Sequence, residues 1–100
     1  MYRDDGLLAL VRKLPCQVPG CQAPAPSEPM HANWARYGKG RSLKADDSSA
    51  AAGCKSCHRA IDAGSDLTGV ERSELWHAAY AGTMSQLIKR GWLKVNPEAL

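Results

Sequence analysis

The sequence predicts a small α+β domain whose core is too modest to hold it together without a cross-link. Three observations lead there. The chain has 100 residues, which gives one domain as the expectation and a limited buried core. Its apolar periodicity is helical at both ends, while the middle is rich in Gly, Pro and small residues. Four cysteines, Cys16, Cys21, Cys54 and Cys57, fall in two closely spaced pairs on either side of that middle stretch. There is no Phe, and nine glycines with six prolines suit a loop-rich fold better than an apolar bundle.

The elements follow in order. Residues 5–14 read as a short helix, with Asp5 as N-cap and Pro15 as stop. Its packed face is Leu7, Leu10, Val11 and Leu14. Residues 16–28 form a tight knuckle and then irregular chain, marked by Pro19, Gly20, Pro24 and Pro26. Residues 29–53 read as a β-hairpin of weak propensity. A second short helix is expected over residues 54–63, stopping at Gly64.

A longer helix starts at Thr68, which with Glu71 fits a capping box, and ends at Gly91. Trp76, Tyr80, Met84, Leu87 and Ile88 form its apolar stripe, with His77 beside them as a packing residue. Trp92, Leu93 and Val95 are expected to fold back onto it. The organisation is therefore a single domain over 1–100: an N-terminal helix in 1–15, a hairpin-and-helix core in 16–66, and a C-terminal helix and tail in 67–100.

Lys and Arg number 13 against 10 Asp and Glu, a net charge of +3 that permits a polyanionic partner without demanding one. The apolar run over residues 7–11 is far too short to span a membrane. Acidic Asp4 and Asp5 precede it, where a secretory leader would be basic. A cytoplasmic protein is the expectation, and a reducing compartment favours metal over disulfide for paired cysteines.

Cys16-x4-Cys21 and Cys54-x2-Cys57 have the short spacings that let two knuckles converge on one tetrahedral ion. The second pair opens a helix, where the dipole favours thiolate. Knuckle, hairpin and a helix whose first turn carries the last two ligands make a treble clef with a structural zinc ion. Disulfides and free buried thiols are the plainer readings. Cys54-Lys55-Ser56-Cys57-His58 is also a C-x-x-C-H string, the attachment signal of c-type haem, with Met84 as a conceivable distal ligand. That reading leaves Cys16 and Cys21 without a role.

A second constellation adjoins the cysteines. His58 follows the last of them, and Asp62 lies one helical turn on, so both project from the same face. They make a half-site for a divalent cation. His31 lies upstream at the start of the hairpin, and Asp46 and Asp47 lie between. Arg36, Lys39, Arg41 and Lys44 fall within nine residues among Gly38 and Gly40, a pattern suited to phosphate contact or to a plain solvated loop. Trp34 and Tyr37 can stack on bases or pin the hairpin.

Met30-His31-Ala32-Asn33-Trp34, Gly38-Lys39-Gly40, Lys44-Ala45-Asp46-Asp47, Cys54-x2-Cys57-His58 and Ile61-Asp62 together resemble the HNH (His-Me finger, ββα-metal) nucleases. The likeness is to the short phage and prophage members, including relatives of the phage recombination-enhancement nuclease. The tail from Glu71-Arg72 through Leu75-Trp76 to Gly91-Trp92-Leu93 is similar to theirs as well.

The resemblance implies a metal-dependent endonuclease acting on nucleic acid, DNA in the first instance, in the cytoplasm of a bacterial host. His31 then matches the general base and His58 the metal ligand of the helix, with Mg²⁺, Mn²⁺ or another divalent ion. Asp47 stands where many members carry the Asn that orients the base. Asp62 stands where some carry a second histidine on the metal. Met30 occupies a position that is often a metal ligand and cannot serve as one. That departure keeps a second expectation open: a zinc module that grips nucleic acid, or a phage or host recombination protein, without cutting.

Overall fold

A computed structural model describes residues 4–31, 49–63 and 66–93. Within them lie three helices, α1 (Asp5–Arg12), α2 (Lys55–Ala63) and α3 (Gly69–Lys89), and two strands, β1 (Glu28–His31) and β2 (Ala50–Gly53). The strands pair antiparallel with Glu28 opposite Gly53 and His31 opposite Ala50. The fold is thus the small mixed α/β arrangement that the sequence predicts.

α1 begins one residue earlier than its cap was assigned. Asp4 is extended, and its carboxylate accepts the Leu7 N–H at 3.0 Å, so Asp4 is the N-cap and Asp5 an acidic first-turn residue. The helix also ends sooner, at Arg12, because Pro15 disfavours helical backbone at Leu14. Leu14 is nevertheless fully buried, and its carbonyl accepts the Ser27 hydroxyl at 2.6 Å. The knuckle that follows turns at Gly20, whose φ of +81° favours glycine. It is closed by Cys21 N–H donating to Val18 C=O and Cys16 N–H donating to Ala23 C=O.

β2 is buried along its whole length and is nearly all alanine. Its alternation divides the interior. Ala51 packs with Cys16, Val18, Met30, Ile61, Trp76 and Ala79, whereas Ala52 packs with Val11, Leu14 and Leu87. Both backbone polar groups of Ala52 are satisfied from outside the strand pair: its N–H by the Thr83 hydroxyl at 2.8 Å, its C=O by the Gln17 N–H at 3.0 Å. The first bond ties β2 to α3 and the second ties it to the cysteine knuckle.

The small side chains of β2 let α3 lie close, and this changes the helix's buried face. The residues facing inward are Trp76, Ala79, Thr83 and Leu87. Tyr80 and Met84 are half-buried at the margin, and Ile88, expected in the stripe, is 44% exposed. The capping box holds as predicted: Glu71 N–H donates to Thr68 Oγ1, and Thr68 N–H donates to the Glu71 carboxylate. Gly91, at φ +73°, closes α3, with Trp92 N–H donating to Leu87 C=O and Gly91 N–H to Ile88 C=O.

Leu93 folds back onto the core as expected. Trp92 instead stays partly exposed, with Arg90 and Lys13 over its ring at 5.2 and 6.0 Å. Val95 and Gly64 lie outside the described residues. Among the described residues no helix is long and apolar enough to cross a membrane.

Candidate metal centre and adjoining pocket

Cys16 and Cys21 lie on the knuckle after α1. Cys54 directly precedes α2, and Cys57 sits in its first turn. The pairs are far apart in sequence, but the β1–β2 pairing and the bond from Gln17 to Ala52 bring them together. All four sulfurs lie within 4.8 Å of one another and can hold one metal ion. None is in a disulfide.

The spacing can be compared with a tetrahedral zinc site. Four sulfurs about 2.3 Å from one ion are separated by about 3.8 Å along each tetrahedral edge. Cys21 Sγ and Cys54 Sγ are 3.8 Å apart. The donor set and its spread therefore fit a single tetrahedral ion.

Electrostatics within the cluster point the same way. The Cys57 N–H donates to Cys54 Sγ at 3.5 Å, and this backbone donor is the main reason that the Cys54 thiol falls to about 7. Burial pushes Cys16 up, and it pushes Cys57 up further still, with the neighbouring thiols adding to the effect. One sulfur is prepared as thiolate while two resist it. Packed thiols become thiolates together only when a cation shares the space.

Beside the cluster lies a cavity of about 170 Å³, lined by His31, His58, Asp62 and Arg72 over a floor that includes Met30 and Trp76. His31 reaches it from the end of β1, and His58 and Asp62 from successive turns of α2. Trp76 fixes the floor: its indole N–H donates to Met30 C=O at 2.9 Å, joining α3 to the strand that carries His31. The sequence's pairing of His31 with His58 and Asp62 is thus a shared cavity. Their ligating atoms do not converge as the sulfurs do; among the described residues the four cysteines are the one set drawn tightly enough to hold a metal.

Glu28 is a site residue that sequence reasoning missed. Its carboxylate lies 2.8 Å from His58 Nδ1 and steadies the ring. Only strand register places it there. Glu28 stands opposite Gly53, one residue before Cys54, so its side chain meets the first turns of α2. His77, assigned to packing, sets its ring edge-on to Trp76 with centroids 5.1 Å apart, and its Nδ1 lies 2.7 Å from the Ser73 carbonyl. Asp46, Asp47, Arg36, Lys39, Arg41, Lys44, Trp34 and Tyr37 lie outside the described residues.

No protein-family model, curated protein or solved structure matches the chain.

Proposed function

We propose that the chain is a treble-clef domain stapled by zinc at Cys16, Cys21, Cys54 and Cys57, and that it acts as an HNH-type endonuclease on nucleic acid, DNA first. The observation that carries this reading is the cavity shared by His31 and His58 directly beside the cysteine cluster. A strand-borne histidine facing a helix-borne one, with a structural ion fixing the helix start, is the division of labour that phosphodiester hydrolysis needs.

His31 takes the proton from the attacking water, the role of general base that an imidazole nitrogen can fill. His58 offers Nε2 to a divalent ion while Glu28 holds Nδ1, the outer support common to metal-bound histidines. Asp62 or Asp47 completes that ligand set. A Mg²⁺ or Mn²⁺ ion there would neutralise charge developing on the phosphate. Arg36, Lys39, Arg41 and Lys44 add sequence-independent affinity for the backbone. The setting is a phage or prophage protein at work in bacterial cytoplasm, with a recombination protein as partner.

A second reading is favoured by the open spacing of His31, His58 and Asp62, which do not close on one point. The same scaffold would then bind nucleic acid without cutting it. The convergence of all four sulfurs weighs against the third reading, since haem attached to Cys54 and Cys57 would take both from the cluster. Incubating plasmid DNA with the zinc-loaded protein and Mg²⁺ or Mn²⁺ separates the first two. Nicked or linear product supports the nuclease; binding without product under either ion supports the module.

A further inference from the structure

The sequence gives Arg72, one of 13 Lys and Arg residues, no role of its own on the exposed opening of α3. In the fold it is half-buried and lines the cavity that holds His31 and His58. Its Nε–H is sealed from solvent without a hydrogen-bond partner. Its Nη1 reaches one acceptor, the Asp62 backbone carbonyl, at 3.4 Å, near the outer limit for such a bond. Among the described residues no carboxylate lies within ion-pair distance of it. The sealed Nε–H carries a cost, and the half-exposed remainder of the guanidinium is left to meet an acceptor in the cavity.

We propose that Arg72 is the anion-binding residue of this pocket, and that its guanidinium holds a phosphate of the substrate against His31 and His58. The planar fork matches two phosphate oxygens at once, which a lysine in that place could not do. The cavity is several times the share of volume of one water, about 30 Å³, so a phosphate group fits within it. The capping box already takes the Thr68 and Glu71 N–H groups at the start of α3, and the proposal places the anion on the guanidinium. The plain alternative is a tie between α3 and the last turn of α2 through the Asp62 carbonyl. One long bond from one nitrogen leaves the rest of the guanidinium unexplained. That the phosphate belongs to nucleic acid rests on the nuclease reading; the anion seat itself does not.

The test is a titration of the full zinc-loaded chain with inorganic phosphate at fixed pH, following the His31, His58 and Trp76 ring signals by NMR. Wild type shifts saturably. Arg72→Ala weakens binding by about tenfold to a hundredfold, the range for a charge-assisted hydrogen bond. Arg72→Lys guards against a folding defect and recovers part of the affinity. Unchanged phosphate affinity in Arg72→Ala overturns the proposal. In plasmid cleavage, Arg72→Ala is slowed and added guanidinium restores part of the rate, whereas a helix tie gives a lower melting temperature and no rescue. If wild type cuts nothing but phosphate binding depends on Arg72, the nuclease reading falls and the anion seat stands. If wild type cuts and Arg72→Ala binds and cuts equally, the anion seat falls alone.

Discussion

Gly53→Ala tests how the strand pair sets the site. A Cβ at Gly53 would lie 2.4 Å from Met30 Sδ, 2.6 Å from its Cε and 3.2 Å from its Cγ. Ordinary contact begins near 3.4 Å, so the side chain or the strand must move by about 1 Å. Met30 is flexible, but it is fully buried in the cluster with Trp76, so its thioether must repack, towards the cavity that it helps to line. Overpacking of this kind costs about 1–3 kcal/mol. For a domain of this size, each kcal/mol lowers the melting temperature by about 4–8 °C. Met30→Ala removes all three atoms that collide and costs about 2–5 kcal/mol alone. The double variant should therefore be more stable than the two single losses predict, with a coupling of about 0.5–3 kcal/mol. Thermal unfolding of the four zinc-loaded proteins measures this. Strictly additive losses would refute the close approach of Met30 to Gly53.

Other expectations follow from the site. Glu28→Gln removes the charge beside His58 while keeping the shape of the side chain, so zinc content should stay unchanged while the Mg²⁺ or Mn²⁺ concentration for half-maximal cleavage rises about tenfold or more; identical metal titrations would show that Glu28 has no part in it. Changing Lys39 and Arg41 together to Ala should weaken DNA binding alike across sequences and flatten its salt dependence by about one to two units of slope. An unchanged slope would mark that stretch as solvated chain without phosphate contact. Cys54→Ser should cost the domain its metal and its cooperative unfolding transition; a stable variant with full zinc would place the staple elsewhere.

What the sequence disclosed was mostly local. The capping box at Thr68 and Glu71 needs only four consecutive residues, and it is where the pattern put it. The cysteine spacings carried their own geometry, and the sulfurs converge. The spacing of His58 and Asp62 follows from one helical turn, and both line the cavity with His31. What stayed hidden depends on neighbours distant in sequence. Ala79 and Thr83 face inward because an alanine strand lies against them, while a search for large apolar residues favours Ile88 instead. Glu28 reaches His58 through a register that no periodicity specifies. Arg72 is distinguished by what surrounds it, and its own position in the sequence pattern says nothing of that. The cap of α1 moved by one residue because Asp4 and Asp5 are equally good caps and only backbone geometry chooses between them.

The most direct test of the account is a paired measurement on His31→Ala: zinc content and DNA cleavage of one preparation. Four thiolates would close a zinc site, so on the proposed nuclease reading the chemistry belongs to the cavity beside it. The account predicts about one zinc per chain, wild-type folding and DNA binding, and cleavage reduced by about two to four orders of magnitude, the scale for loss of a general base. A His31→Ala protein that cuts DNA as fast as wild type, with its zinc in place, would contradict it.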